Sequence, residues 1–292
     1  MLHNSQPPVS DDDMPGIAPP GGFVSRYLAR IGLATAPAPT LEGLAALQAA
    51  HIGAIPFEAL DALTGQGVDI GAEAIEAKLI GRHRGGYCFE QNGLFLRALL
   101  ALGFDAEGLI GRVRWMLPDE APATPRTHMT VRVRLDGRPW LADVGFGSAV
   151  PPQPLALDRP GAVQPTRHES YRIMPQPGGY RVALEIAGAW RTLYDLEETA
   201  APAIDYEVGN WYTSQHPESH FRHQLIAART TAETRYGLRD NRLTIRRTDG
   251  SIEQRHLSAD GIAAALRDLF LLAPEPGWRR AIERAATVEI SG

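Results

Sequence analysis

The chain has 292 residues, of which 44% are hydrophobic and 22% are charged, a composition typical of a soluble globular protein with room for two or three domains. Its net charge of −5 argues against a nucleic-acid partner bound by bulk electrostatics. No apolar run is long enough to predict a membrane span, and a single cysteine suits a reducing compartment, so we expect a cytoplasmic protein without a membrane partner.

Helical patterns dominate the first third of the chain. Residues 1–22 are rich in proline, glycine and aspartate and predict a mobile N-terminal extension. From residue 23 to about residue 106 the apolar residues follow helical spacing, with one helix face formed by Val24, Tyr27, Leu28 and Ile31. A second helix follows the N-cap Thr40, and a third runs from Phe89 to the C-cap Gly103. Residues 23–106 are therefore predicted to form a helical bundle.

Near Leu109 the apolar residues begin to alternate with polar ones, which indicates strands. Val113, Trp115 and Leu117 alternate in this way first. Further strands are predicted at 128–135, 139–144, 171–174, 180–186 and 190–193, so that residues 107–205 form a small antiparallel barrel or curled sheet. Residues 206–292 combine strands at 242–247 and 252–257 with a helix whose apolar face is formed by Ile262, Leu266, Leu269 and Phe270.

The only cysteine, Cys88, follows Gly85 and Gly86 and starts an amphipathic helical pattern. A lone cysteine forms neither an internal disulfide nor a thiolate metal cluster, which leaves the roles of buried small hydrophobic residue or reactive thiol. Two glycines allow a sharp turn and a close backbone approach, and the free N–H groups at a helix start stabilise a thiolate. These neighbours favour a cysteine nucleophile.

A cysteine nucleophile needs a base and a group that orients the base. His128 starts a strand that leads into the turn signal Asp136-Gly137, and the returning strand carries Asp143. With a two-residue loop, Thr130 lies opposite Asp143, and Asp143 is the diagonal neighbour of His128 on the same face, at roughly 7–8 Å between backbone positions. A three-residue loop would place the two side chains on opposite faces. The alternatives are a structural histidine and an aspartate that caps a turn.

These residues lie in segments that resemble the arylamine N-acetyltransferases. The resemblance covers about residues 23–275 and rests on five segments: 51–60 (HIGAIPFEAL), 84–90 (RGGYCFE), 127–129 (THM), 143–147 (DVGFG) and 219–221 (SHF). The spacings from Cys88 to His128 and from His128 to Asp143 also resemble those of the family.

The resemblance implies an α+β multidomain fold with a cysteine-protease-like Cys-His-Asp core. Its parts would be an N-terminal helical bundle (23–106) that carries the nucleophile, a central antiparallel β-barrel (107–205) that carries the histidine and aspartate, and a C-terminal α/β lid (206–292). It also implies ping-pong transfer of an acetyl group from acetyl-CoA to an arylamine, hydrazine or arylhydroxylamine, through a thioester on Cys88. His128 would share the cysteine proton and Asp143 would orient the imidazole. No metal is expected, and a homo-oligomer is not excluded.

The family pattern also suggests binding residues. The acceptor pocket would be lined by Phe57, Phe89, Phe146 and Phe221, for which the alternative is core packing, most of all for Phe89. Thr127 and Gly147 would contact coenzyme A. Glu58 and Arg84 are expected to form a buried ion pair beside Cys88. The chain departs from the family at Ala59, where asparagine is common, and in the proline-rich segment 148–154.

Two other functions remain open at this point. The same triad would serve a cysteine hydrolase or an amide synthase that uses a different acyl donor. A binding module that has lost activity is the third reading, and the intact Cys88, His128 and Asp143 argue against it.

Overall fold

The computed structural model describes residues 22–118 and 120–289, so the predicted N-terminal extension lies outside the described residues except for Gly22. The first third is helical, and its elements are α1 (Phe23–Ile31), α2 (Leu41–Ala54), the two-residue strand β1 (Phe57–Glu58), α3 (Leu60–Leu63), α4 (Ala72–Ile75), a π-helix (Glu76–Gly81) and α5 (Cys88–Ala101). Thr40 caps α2 as predicted, because its hydroxyl accepts a hydrogen bond from the Gly43 N–H at 3.1 Å.

The middle of the chain forms a seven-stranded antiparallel sheet. Its strands are β2 (Asp105–Val113), β3 (Arg126–Leu135), β4 (Arg138–Ala142), β5 (Leu155–Ala156), β6 (Tyr171–Gln176), β7 (Gly179–Ile186) and β8 (Ala189–Glu197), in the order β5-β4-β3-β2-β8-β7-β6. Gln164 joins the two edges: its backbone pairs with Tyr171 of β6, while its side-chain amide binds the N–H and carbonyl of Ala156 in β5 at 2.7 and 2.9 Å. The sheet is thus a nearly closed barrel.

The described part of the last third contains a five-stranded sheet and three α-helices. Its elements are α6 (Ala203–Gln215), β9 (Ile226–Thr230), β10 (Thr234–Arg239), β11 (Arg242–Arg247), β12 (Ile252–His256), α7 (Ala259–Asp268) and α8 (Arg279–Ala286). The sheet order is β1-β9-β10-β11-β12, so β1 of the N-terminal third forms its edge. The predicted α+β fold class is confirmed. The exact boundaries of its three parts stay a prediction.

The β3–β4 hairpin has the predicted register, since Leu135 pairs with Arg138 and Val131 with Ala142. Asp136 and Gly137 both have positive φ, 50° and 76°, as the two-residue hairpin turn requires. The register argument made from the sequence is therefore confirmed.

The predicted strand through Trp115 and Leu117 is wrong. β2 ends at Val113, and Met116 is left-handed with a φ of 61°. The Arg114 guanidinium donates to the carbonyls of Pro118, Ala121 and Pro122, which folds the segment into a compact loop. Alternation of apolar residues could not reveal this, because the loop is held by side-chain contacts to its own backbone.

Three large hydrophobic cores hold the molecule together. One lies among α1, α2, α5 and the β3–β4 hairpin, a second fills the barrel, and a third joins α7 and α8 to the five-stranded sheet and α3. We call the third one the C-terminal core. Within the described ranges, no helix has both the length and the apolar character to cross a membrane.

Candidate active site

Cys88 is the first residue of α5, and it is only 6% exposed. Its Sγ lies 3.3 Å from the carbonyl oxygen of Thr127. The Glu90 carboxylate accepts a hydrogen bond from the Tyr87 N–H at 3.0 Å and so caps the helix start. The preceding loop packs so tightly that a Cβ on Gly85 would lie 2.1 Å from the carbonyl oxygen of Pro56. The nucleophile candidate therefore sits at a helix N-terminus on a fixed loop.

His128 and Asp143 meet just beyond the end of the β3–β4 ladder, as the register predicted. His128 Nε2 lies 2.8 Å from Asp143 Oδ2, and both side chains are buried. Since Nε2 binds the carboxylate, Nδ1 is the ring nitrogen left to face the Cys88 side chain, which is close enough to raise the pKa of His128. The three candidate catalytic residues thus lie together, with His128 hydrogen-bonded to Asp143 and within interaction range of Cys88.

The charges of His128 and Asp143 stabilise each other. Burial alone would lower the pKa of His128, but the charge of Asp143, the hydrogen bond to Asp143 and the interaction with Cys88 raise it to about 10. Burial alone would raise the pKa of Asp143, and the imidazolium with the Gly145 and Asn92 hydrogen bonds lowers it below its ordinary value. The site therefore favours an imidazolium beside an aspartate near neutral pH.

Three of the four candidate acceptor-pocket phenylalanines lie in one aromatic cluster with Cys88. Phe57 and Phe221 are partly exposed, with ring centroids 6.0 Å apart. Phe89 belongs to the same cluster but is only 1% exposed and packs against Gly209 of α6. Phe146 instead packs edge-on against the His128 ring, with centroids 4.9 Å apart. The partly exposed rings are the ones that offer a face to a planar ligand.

The two candidate coenzyme A contacts lie beside these residues. Thr127 places its carbonyl next to the Cys88 sulfur, and its side chain is partly exposed. Gly147 has a φ of 61°, and a Cβ there would be 3.7 Å from the Phe57 ring. The 148–150 carbonyls of the following segment are bound by Tyr171 and by the buried Arg235, so this part of the proline-rich loop is well fixed.

A group of five ionisable side chains lies beneath the Cys88 loop: Glu58, Asp61, Lys78, Arg84 and Glu90. We call it the buried charge cluster. The expected Glu58–Arg84 ion pair is confirmed at 2.8 Å, and Lys78 Nζ lies 2.7 Å from both Asp61 and Glu90. Three carboxyl groups here face two cations. Burial and the charge of Glu58 raise the pKa of Glu90 to about 7, although Lys78 opposes this shift. Burial would lower the pKa of Lys78, but the three carboxylates outweigh burial and raise it.

The comparisons with known proteins agree with this geometry. A family model described as N-acetyltransferase matches residues 40–275. The arylamine N-acetyltransferase of Mycolicibacterium smegmatis is 44% identical over 248 residues, which cover 84% of this chain and 90% of that protein. The chain belongs to the arylamine N-acetyltransferase family. Members of this family are acyltransferases.

Two further proteins are similar to this chain. The structure of the Mycobacterium marinum enzyme in complex with CoA has a TM-score of 0.84 at 38% identity and covers 90% of this chain and 98% of that one. Proansamycin X synthase of Amycolatopsis mediterranei is 33% identical over 219 residues, covering 72% of this chain and 78% of that protein. Residues 276–289 lie beyond the region matched by the family model.

The sequence analysis missed two side chains that hold Asp143 in this candidate site. Asn92 Nδ2 donates to Asp143 Oδ1 at 3.1 Å and to the Met129 carbonyl at 2.7 Å, and its Oδ1 accepts from the Val144 N–H. The Tyr194 hydroxyl donates to Asp143 Oδ2 at 3.0 Å. Asn92 lies one helical turn after Cys88, a spacing that places both on one helix face. No local sequence pattern predicts that Tyr194 contacts Asp143.

A second missed network supports the Cys88 loop from behind. Gln91 Nε2 donates to the carbonyls of Pro56 and Gly86 at 2.7 and 3.2 Å, so its Oε1 must accept from His51 Nε2 at 2.7 Å. His51 Nδ1 then accepts from the Tyr27 hydroxyl at 3.0 Å. Burial lowers the pKa of His51 to about 4, Arg30 adds to the shift, and the Gln91 hydrogen bond opposes it. His51 is therefore a neutral structural imidazole.

No metal site is evident in the described part of the chain, where no group of three or more histidine, cysteine, aspartate or glutamate side chains is arranged to hold an ion.

Proposed function

We propose that this protein transfers an acetyl group from acetyl-CoA to the nitrogen of an arylamine, arylhydrazine or arylhydroxylamine, through an acetyl-thioester on Cys88. The observation that carries the proposal is the hydrogen-bonded His128–Asp143 pair beside Cys88, at the N-terminus of α5. Family membership supports the reaction class, and the M. marinum relative binds CoA.

In the first half-reaction the Cys88 thiolate attacks the thioester carbonyl carbon of acetyl-CoA. The bond between that carbon and the coenzyme A sulfur breaks, and the departing thiolate takes a proton from the His128 imidazolium. The exchange replaces one thioester by another, so it is nearly isoenergetic. Asp143 holds the imidazole with Nδ1 toward the sulfur throughout, which is the orienting role of the third member of a triad.

In the second half-reaction the acceptor nitrogen attacks the acetyl carbonyl on Cys88. The carbon–sulfur bond breaks, His128 accepts the proton lost by the nitrogen, and the thiolate–imidazolium pair returns. Phe57, Phe146 and Phe221 are the aromatic side chains best placed to stack on a planar acceptor, because they keep exposed area beside Cys88 and His128. Phe89 would support the pocket from its buried position.

We also propose that Thr127 and Gly147 contact coenzyme A, since Thr127 adjoins the Cys88 sulfur and Gly147 adjoins Phe57. A free thiol in a chain with one cysteine is best preserved in a reducing compartment, which favours a cytoplasmic location.

Intact-protein mass spectrometry tests the mechanism. Acetyl-CoA alone should add one acetyl group, hydroxylamine should remove it, and an arylamine should discharge it as the amide. The chain is well suited to this measurement because Lys78, its only lysine, is buried and paired with carboxylates and should stay unmodified. Cys88→Ala should acquire no acetyl group, and His128→Gln should acquire it at least a hundredfold more slowly, the lower end of the usual gain of roughly 10²–10⁴ from a positioned acid or base. Turnover of amine by Cys88→Ala would refute the mechanism.

The second candidate is an amide synthase or cysteine hydrolase with the same triad. It is favoured by one comparison, the similarity to a protein named as a synthase and not as an acetyltransferase, proansamycin X synthase. Under this alternative, acetyl-CoA would leave the protein unmodified while a larger acyl thioester would acylate Cys88, or the acyl group would be lost rapidly to water without any amine. The same mass measurement, repeated with a longer acyl-CoA, distinguishes the two functions.

A further inference from the structure

We propose that Trp278, in the C-terminal segment outside the matched family region, is a positioning residue for the Cys88 loop and acts through Arg84. The Trp278 side chain is fully buried, and its ring lies 4.5 Å from the Arg84 guanidinium carbon. Its indole nitrogen is buried without a hydrogen-bond partner in the structure. Trp278 therefore interacts with Arg84 through its ring face and not through its N–H.

The edges of the Arg84 guanidinium are filled by carboxylates. Nε and Nη2 donate to Glu58 at 3.0 and 2.8 Å, Nη2 also donates to Asp61 at 2.8 Å, and Nη1 donates to Glu275 at 3.0 Å. Glu275 is 38% exposed at its side chain, so water reaches this side of the cluster. These bonds use four of the five N–H groups in the guanidinium plane, and Trp278 lies over one of its flat faces. A cation over an aromatic face is attracted, and more strongly when water is excluded.

The Arg84 backbone is tied to the loop that leads to the nucleophile. Its N–H donates to the Lys78 carbonyl at 3.1 Å, and its own carbonyl accepts from Arg30 at 3.3 Å. The next two residues leave little room to adjust, because Gly85 packs on Pro56 and the Gly86 carbonyl accepts from the Glu58 N–H at 3.1 Å. A shift of the Arg84 side chain is thus passed along a stiff loop to Cys88.

The C-terminal segment therefore reaches the active site through a specific contact. Trp278 belongs to the C-terminal core with Leu60 and Leu63 of α3, so residues distant in sequence fix one wall of the buried charge cluster. Removal of the ring should admit water to the Arg84 ion pairs and loosen the loop. The inference rests on the proposed role of Cys88 as nucleophile, but it needs no assumption about the acyl donor.

The test compares three variants of the full chain by the rate at which iodoacetamide alkylates Cys88. Trp278→Leu should slow alkylation by roughly tenfold, less than the hundredfold that a misplacement of about 1 Å can cost. Trp278→Phe keeps a ring face and should restore most of the rate. Phe270→Leu is the matched control, because Phe270 is equally buried in the same core, where its ring packs against Tyr236.

Urea unfolding of the same variants separates positioning from general stability. Phe270→Leu should lose as much stability as Trp278→Leu and keep the parent alkylation rate. Equal alkylation rates for parent and Trp278→Leu, or equal slowing by Trp278→Leu and Phe270→Leu, would overturn the proposal. Because alkylation requires neither acetyl-CoA nor amine, the result stands apart from the acetylation experiment, and failure of one does not imply failure of the other.

Discussion

At the residue scale, the Asp143 carboxylate accepts hydrogen bonds from several groups besides the His128 ring that it orients. Asn92, Tyr194 and the Gly145 N–H all bind it, in addition to His128, and the side chain is fully buried. Such a carboxylate cannot rotate without leaving donors unpaired. The orientation of the imidazole therefore depends on Asn92, Tyr194 and Gly145 as well as on Asp143.

We predict that Asn92→Ala lowers the rate of Cys88 acetylation by roughly tenfold or more, as a loss of about 1.4 kcal/mol in orientation would. The free energy of unfolding should also fall by about 2 kcal/mol, because the buried Val144 N–H and Met129 carbonyl lose their partner. Acetylation by rapid quench and urea unfolding measure the two effects. Tyr194→Phe removes a donor only from Asp143 and should have the smaller effect on stability. Equal unfolding free energies for Asn92→Ala and the parent would contradict this account.

At the scale of elements, the site is made where the start of α5 meets the segment after β4. The contact is very close: a Cβ on Gly145 would lie 2.6 Å from the Cys88 Cα and 2.7 Å from the Asn92 amide nitrogen. The first of these neighbours is backbone and cannot rotate away. The hairpin that carries His128 and Asp143 can therefore approach the cysteine helix only because residue 145 is glycine.

We predict that Gly145→Ala pushes the hairpin away from α5. Overpacking of this kind costs about 1–3 kcal/mol in stability. Alkylation of Cys88 should slow as well, because the His128 contact lengthens. Gly237→Ala is the matched control, since a Cβ at that position meets its nearest neighbour at an ordinary 3.5 Å. An alkylation rate of Cys88 in Gly145→Ala equal to that in Gly237→Ala would show that the close approach is unimportant.

At the scale of the whole molecule, buried ionisable groups couple the fold to pH, and two histidines do so with opposite sign. The pKa of His51 is lowered by burial to about 4 from 6.5, so the unfolded chain binds more protons between these values and stability falls as pH drops through this window. The pKa of His128 is raised to about 10 by Asp143 and Cys88 despite burial, so its stabilising contribution is complete below about pH 6.5 and is lost as pH rises toward 10.

The free energy of unfolding should decline at acid pH because of His51 and at alkaline pH because of His128. Replacing either histidine by glutamine should remove the corresponding decline. His51→Gln should flatten the loss of unfolding free energy between pH 6.5 and 4, an effect of up to about 3 kcal/mol at about 1.4 kcal/mol per pKa unit. His128→Gln should instead flatten the loss between pH 6.5 and 10. Urea unfolding across this pH range measures both. If the loss of unfolding free energy at acid pH is the same in His51→Gln as in the parent, its assignment to His51 is wrong. The same holds for the loss at alkaline pH and His128→Gln.

The sequence by itself determined the features that depend on neighbours along the chain. The helix starts at Thr40 and Cys88, the two-residue turn at Asp136-Gly137 and the hairpin register all follow from local backbone preferences, and they placed His128 and Asp143 side by side. The Glu58–Arg84 pair came from the family resemblance, and the structure confirms it within a larger cluster.

Only the tertiary structure decided the contacts between residues far apart in sequence. The strand β1 pairs with β9, the Tyr194 hydroxyl donates to Asp143, and Trp278 lies over Arg84. In each case the local sequence pattern does not predict the partner. The strand predicted through Trp115 is wrong for a different reason, because hydrogen bonds from the Arg114 side chain to the nearby carbonyls of Pro118 and Ala121 hold a loop there. Local periodicity reports which face of an element is buried, whereas what lies against that face is set by chain folding and packing.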